Sequence, residues 1–183
     1  MRTALLDACV LYPMGLRDTL LSVAQAQAYR PLWSAEILDE VRDALVRSAP
    51  VVRPARADRL LATMRAAFPE AMVTGHLHLV PEMGNEPADR HVLAAAVAGR
   101  ADVIVTFNLR RFPGSVCAPF GVEARSPDGF LTALAGENAD LVLEALQRQV
   151  ARYNAPPLTM VELLSRHEAR LPGLVAAVRA LLR

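Results

Sequence analysis

Three acidic residues far apart in the sequence, Asp7, Glu40 and Asp89, are the side chains best suited to do chemistry. Carboxylate oxygens are the ligands that Mg²⁺ and Mn²⁺ prefer. Carboxylates gathered without a cation repel one another, and a divalent ion removes that repulsion. Such an ion can also make a bound water nucleophilic beside a phosphodiester. If the fold brings the three acids together, they predict a metal-dependent hydrolase that acts on phosphates.

Polar and basic side chains near the third acid could complete such a site. Asn108 offers a neutral oxygen that can orient a ligand or a water, and Thr106 lies two residues before it. The guanidinium groups of Arg90, Arg110 and Arg111 can hold substrate phosphates, because their forked N–H groups match phosphate oxygens.

Residues 86–113 predict the elements that position Asp89. Pro87 suits the first turn of a helix, where its missing N–H costs nothing. Gly99 is expected to end this helix in a left-handed conformation. The run Val103-Ile104-Val105 then predicts a central parallel strand that is buried on both faces.

Thr106 and Asn108 would lie at the carboxyl end of that strand, which is where ligands bind in open α/β sheets. Asp7 likewise follows a short apolar strand at residues 3–6. In the simpler alternatives, Asp7 caps a turn and Asp89 is favoured by the helix dipole. The dipole explains Asp89 less well, because burying a carboxylate without a cation costs more than the dipole returns.

Glu40 belongs to a helix for which Ser34 is the predicted N-cap. It borders the apolar stripe of that helix, and the alternative is an ordinary solvated surface acid. The preceding helix is predicted to continue to about Tyr29. Farther on, residues 73–80 predict a strand or an extended connection with His76 and His78 on one face. Without a third soft ligand nearby, these two are interpreted as partly exposed polar positions rather than metal ligands.

The composition narrows the function further. At 183 residues with 53% hydrophobic side chains, the chain can form one α/β domain with a helical appendage. All 20 basic residues are Arg. The absence of Lys excludes P-loop nucleotide hydrolases and Schiff-base enzymes. No apolar run reaches the roughly 18 residues of a membrane span, and two Cys residues make no disulfide framework, so we expect a cytoplasmic protein.

Three segments together resemble the PIN-domain family, in particular the VapC-type toxin ribonucleases: LLDACVLYP, SAEILDEVRDAL and PADRHVLAAAVAGRADVIVTFNLRRFP. The resemblance implies a Rossmann-like three-layer α/β/α fold with a central parallel sheet. It covers a PIN-like nuclease domain at residues 1–125, and residues 126–183 resemble the helical C-terminal extension of one subgroup. It also implies a Mg²⁺- or Mn²⁺-dependent endoribonuclease that leaves 5′-phosphate and 3′-hydroxyl ends.

Residue by residue, the family's acidic positions fall on Asp7, Glu40 and Asp89, and its fourth position falls on Asn108. By this resemblance Asp7 and Asp89 ligate the metal directly. Glu40 ligates it through water or binds a second ion, and it positions the attacking water. Asn108 lies by the scissile phosphate, with the arginines clamping the RNA backbone.

Two positions depart from the family pattern. Arg111 stands where many relatives have an acid, and Glu86 stands where this subgroup often has Asp. The first departure leaves three acids and Asn108, a set that should bind metal more weakly.

The resemblance also implies three partners: an RNA substrate, a second copy of the chain in a homodimer, and a cognate antitoxin that covers the active-site groove. Two alternatives stay open. One is a non-catalytic PIN relative that binds RNA or serves as a scaffold with a decayed metal site. The other is a metal-dependent DNA nuclease or 5′ exonuclease of related fold.

Overall fold

The computed structural model describes residues 1–48 and 54–183. The described residues form a parallel four-stranded sheet in the order β2-β1-β3-β4. Its strands are β1 (Arg2–Leu6), β2 (Tyr29–Leu32), β3 (Val103–Val105) and β4 (Glu123–Arg125). In register, Leu5 pairs with both Leu32 of β2 and Ile104 of β3.

Helices connect and cover these strands in a Rossmann-like three-layer α/β/α arrangement, as predicted. They are α1 (Ala8–Leu11), α2 (Met14–Gln25), α3 (Ala35–Ser48), α4 (Pro54–Ala67), α5 (Arg90–Ala98), α6 (Gly114–Cys117), α7 (Pro127–Glu137), α8 (Ala139–Ala151), α9 (Met160–His167) and α10 (Pro172–Leu181). Short 3-10 turns include Leu77–Glu82, Pro87–Asp89 and Leu109–Arg111. Within the described residues, none of the helices combines the length and the apolar character needed to cross a bilayer.

The prediction for β3 is confirmed. Its residues are fully buried between two neighbouring strands, which explains the continuous apolar run. Ser34 is also confirmed as a helix cap, since its hydroxyl accepts a hydrogen bond from the N–H of Ile37 at 3.3 Å.

The prediction that the second helix continues to about Tyr29 is wrong. The helix ends at Gln25, the chain turns through Gln27 with a φ of 64°, and Tyr29–Leu32 forms an edge strand. Pro31 is tolerated there because an edge strand has a side without a partner, where the missing N–H is not needed.

The left-handed conformation predicted for Gly99 is also wrong, because its φ is −78° and the positive φ belongs to Arg100. Glycine is needed for space instead. A Cβ atom at this position would lie 2.6 Å from Cδ1 of Leu32 and 2.9 Å from Cγ2 of Val73.

The prediction that His76 and His78 lie on one face of a strand is wrong. They flank the start of a 3-10 helix, Leu77–Glu82, rather than lying on an extended segment. His76 is 2% exposed and its Nε2 lies 3.2 Å from Oε2 of Glu36, whereas His78 is exposed.

The C-terminal helices pack directly on the sheet domain. The ring of Phe130 in α7 meets that of Tyr29 edge to face, with centroids 4.9 Å apart. A buried polar network joins Thr19 of α2 to Gln149 of α8 and to His167 of α9. Thr159 and Glu162 form a capping box at the start of α9. The division into residues 1–125 and 126–183 stays a prediction.

Candidate active site

Asp7 follows β1 directly and is only 6% exposed. It occupies the N-cap position of α1, yet its side chain makes no capping hydrogen bond. Instead, Oδ2 accepts hydrogen bonds from the hydroxyl of Thr106 at 2.6 Å and from Sγ of Cys9 at 3.1 Å. The carboxylate is therefore held at the carboxyl ends of β1 and β3 rather than used to cap a turn.

Cys9 and Thr106 fix the turn that follows β3. Sγ of Cys9 accepts a hydrogen bond from the N–H of Phe107 at 3.3 Å, and the Thr106 hydroxyl accepts one from the N–H of Asn108 at 2.9 Å. Burial, with a smaller contribution from the charge of Asp7, raises the pKa of Cys9 to about 12. The thiol thus stays protonated and remains a donor to Asp7 at neutral pH. Asn108 itself is exposed beside this turn.

Asp89 lies at the start of α5, with its side chain 15% exposed. Its Oδ2 accepts a hydrogen bond from Nη1 of Arg111 at 2.6 Å. The pKa of Arg111 is raised mainly by this hydrogen bond and by the charge of Asp89, with further contributions from Glu86 and Asp7. The arginine that departs from the family pattern is therefore the counter-ion of one candidate metal ligand.

Glu40 has a partner of its own, although its side chain is 49% exposed. Its Oε1 lies 3.0 Å from Nε2 of His91, two residues after Asp89. The pKa of His91 is raised chiefly by hydrogen bonding to Glu40, against the effect of burial, and the charges of Glu36 and Asp7 raise it further. Glu40 is thus not a merely solvated surface acid.

Two of the candidate acids contact the end of β3 and its following turn, since Thr106 donates to Asp7 and Arg111 donates to Asp89. The third, Glu40, contacts His91 in the first turn of α5. In residues 1–48 and 54–183, however, no three His, Cys, Asp or Glu side chains are grouped so that they could hold a metal ion. Glu40 contacts His91 and Asp89 is paired with Arg111 instead.

The donor atoms nevertheless suit a hard divalent ion. Asp7 and Asp89 use Oδ2 for the hydrogen bonds just described, and within the described chain Oδ1 of each accepts none. The carboxylate oxygens and the side-chain amide oxygen of Asn108, an exposed residue, make an all-oxygen set of the kind that Mg²⁺ and Mn²⁺ prefer.

The remaining candidate residues differ in their surroundings. Arg110 is exposed, next to the exposed apolar side chains of Phe107 and Leu109. Arg90 is half-buried, and its Nε donates to the carbonyl of Asn85 at 3.0 Å.

Sequence reasoning did not identify Cys9 and His91 as parts of this site. The only available signal was their spacing, two residues after Asp7 and two residues after Asp89, respectively.

Comparisons with known proteins agree with this architecture. A family model described as PIN domain matches residues 3–110, and one described as the VapC50 C-terminal domain matches residues 127–180. A protein of Mycobacterium tuberculosis (strain ATCC 25618 / H37Rv) named "Putative ribonuclease VapC50" is 39% identical over 115 residues. That match covers 61% of this chain and 66% of the relative, just under two thirds of its length. No solved structure matches the chain. The chain belongs to the PIN-domain family, and is of the VapC type with a helical C-terminal extension.

Proposed function

We propose that this protein is a Mg²⁺- or Mn²⁺-dependent endoribonuclease, the cytoplasmic toxin of a type II toxin–antitoxin pair. One set of contacts carries the proposal: Thr106, at the end of β3, donates to Asp7, and Arg111, in the turn that follows, donates to Asp89, each at 2.6 Å. Glu40 lies 3.0 Å from His91, two residues after Asp89, so acids from three separate elements are linked through partners near the carboxyl end of β3. The PIN-domain match and a relative named as a ribonuclease support RNA as the substrate.

In this proposal Asp7 and Asp89 ligate the divalent ion directly. Glu40 ligates it through water or binds a second ion, and it orients the attacking water. When bound, the ion supplies Lewis-acid polarisation of the phosphate and lowers the pKa of a bound water. Asn108 faces the scissile phosphate from the turn after β3.

The other polar residues serve the substrate in two ways. Arg110, which is exposed, and Arg90 hold backbone phosphates of the RNA. Thr106 is fully buried, and its hydroxyl contacts both Asp7 and the N–H of Asn108. We therefore assign it a positioning role on the substrate side of the site.

Cleavage of single-stranded RNA by the wild type, Asp7→Asn and Asp39→Asn tests the proposal. The Asp39 variant is the control, since it removes an exposed acid from the same helix as Glu40. The wild type and the control should cleave with Mg²⁺ and stop when EDTA is added. Asp7→Asn should lose about 10²- to 10³-fold in rate, the scale of losing one transition-state contact. Equal cleavage by all three proteins would falsify the role of Asp7.

The proposed partners call for separate measurements. Expression of the chain by itself should arrest growth, and co-expression of the neighbouring open reading frame, as the source of the antitoxin, should relieve the arrest. Light scattering should give the mass of a homodimer. Normal growth at every induction level would count against the toxin assignment.

A second function is favoured by one contact, the ion pair of Arg111 with Asp89. A PIN relative with a decayed metal site could use this pair as permanent structure and bind RNA without cleaving it. Calorimetry with Mn²⁺ separates the two functions, because the decayed site predicts no binding at millimolar metal.

A further inference from the structure

We propose that Arg111 exchanges partners when the site binds its metal. It neutralises Asp89 while the metal is absent and moves to a phosphate of single-stranded RNA when a divalent ion takes Asp89. This inference rests on the proposed function. It identifies Arg111 as a substrate-positioning residue whose availability depends on metal binding.

Asp89 already has a positively charged partner, Arg111. The side chain of Asp89 is 15% exposed, and a nearby cation stabilises a carboxylate with so little access to solvent. Nη1 of Arg111 lies 2.6 Å from Oδ2 of Asp89. Arg111 therefore supplies the positive charge beside Asp89 that a divalent ion would otherwise supply.

The guanidinium of Arg111 and a divalent ion would compete for Asp89. A guanidinium bonded to Oδ2 and a divalent ion ligated by the same carboxylate would be like charges a few ångströms apart. A divalent ion would carry twice the charge of the guanidinium, and in the proposed site Asp7 would be a second ligand for it. We therefore expect the ion to displace the guanidinium rather than to bind beside it.

The side chain of Arg111 can move without disturbing the core. Its side chain is 45% exposed, so solvent can receive it. Its backbone is held, because its N–H donates to the carbonyl of Asn108 at 2.9 Å and the next residue, Phe112, is buried. Rotation of the side chain about a fixed backbone keeps the guanidinium near the end of β3.

The released guanidinium of Arg111 would lie at an exposed turn. Residues 107–111 are all exposed and follow Thr106, which contacts Asp7. A phosphate that approaches Asp7 and Asn108 would thus be within reach of the released guanidinium. Guanidinium and phosphate form bidentate hydrogen bonds, which favour this contact over free solvation. Metal binding and RNA binding should then be positively coupled.

Two titrations with Arg111→Gln test this exchange. The control is Arg65→Gln, which removes the same charge from an exposed position of α4 that has no carboxylate within 4.0 Å in the described residues. Calorimetry with MnCl₂ alone should show about fivefold tighter binding by Arg111→Gln, the scale of a partly exposed ion pair. Arg65→Gln should stay within about twofold of the wild type.

Fluorescence anisotropy then measures binding of a labelled, 2′-O-methylated single-stranded RNA in saturating MnCl₂. Here Arg111→Gln should bind about fivefold more weakly than the wild type. A purely structural ion pair would not move the two affinities in opposite directions. Arg111→Lys, which keeps the charge, should give intermediate values in both titrations and guards against misfolding of the Gln variant.

Three results would overturn the exchange. Equal tightening of Mn²⁺ binding by the Arg65 and Arg111 variants would mean a general charge effect. Tighter Mn²⁺ binding with unchanged RNA affinity would mean that Arg111 does not reach the phosphate. If every variant binds Mn²⁺ equally, the exchange is wrong while the proposed function stands, whereas no Mn²⁺ binding by any protein would reject both.

Discussion

Arg111 and Asp89 lie 22 residues apart in the chain, and their side chains meet at 2.6 Å between Nη1 and Oδ2. The pair joins the turn after β3 to the start of α5. It explains how a position that lacks the acid found in many relatives can still belong to the site. The basic side chain interacts with a candidate metal ligand instead of being one.

The contact of His91 with Glu40, at 3.0 Å, predicts a measurable change in the pKa of His91. Glu40→Gln should lower the pKa of His91, because Glu40 is the main cause of its elevation. NMR of the His91 Cε1–H across a pH series measures this. Glu36→Gln is the control and should give a smaller decrease, since Glu36 acts on His91 only through its charge. An unchanged pKa in Glu40→Gln would contradict the pairing.

The same elevation has a consequence for stability. The pKa of folded His91 lies above the roughly 6.5 expected of the unfolded chain. The pair therefore stabilises the folded state fully below that value, and its contribution is lost as the pH rises through the folded pKa. Urea unfolding of the wild type and Glu40→Gln at several pH values measures this contribution. The difference in unfolding free energy between the two proteins should shrink as the pH rises.

His167 predicts the opposite pH dependence. Burial lowers its pKa, and its Nε2 lies 2.8 Å from the hydroxyl of Thr19. Below about pH 6.5 the unfolded chain takes up a proton that the folded protein resists, so stability falls as the pH falls. One such group contributes a slope of at most roughly 1.4 kcal/mol per pH unit. His167→Gln should flatten the decrease between pH 7 and 5, whereas His78→Gln, at an exposed histidine, should leave it unchanged.

Gly99 predicts a packing effect that another glycine does not share. Gly99→Ala should destabilise the protein by about 1–3 kcal/mol, because the added Cβ would overlap Leu32 and Val73. Gly136→Ala in α7 meets nothing within 4 Å and should raise the unfolding free energy by up to roughly 0.5–1 kcal/mol. Chemical denaturation compares the two variants. Equal effects would show that helix propensity, not space, governs Gly99.

The parts of the fold that sequence reasoning predicted correctly have strong local signals. The apolar run of β3, followed by polar residues, placed Thr106 and Asn108 at a strand end. The hydroxyl of Ser34 marked the start of α3. Edge strand β2 was missed because it has four residues, contains Pro31, and follows a helix after a short turn.

The contacts within the candidate site could not be predicted in the same way. The pairing of Arg111 with Asp89, and that of His91 with Glu40, depends on distances between elements far apart in the sequence. The burial of His76 was missed because its segment forms a 3-10 helix rather than the alternating strand expected. The elements that carry the acids were therefore accessible from the sequence, but the side chains that contact Glu40 and Asp89 were not.

The most direct test of the metal-site assignment is a crystal structure of the protein soaked in MnCl₂, with anomalous scattering used to locate the manganese. We predict a peak about 2.1 Å from oxygens of Asp7 and Asp89, with Glu40 in the same coordination sphere or joined to it through water. Arg111 should have left Asp89. A structure without manganese at these residues, in which Asp89 still pairs with Arg111 at saturating metal, would contradict the account.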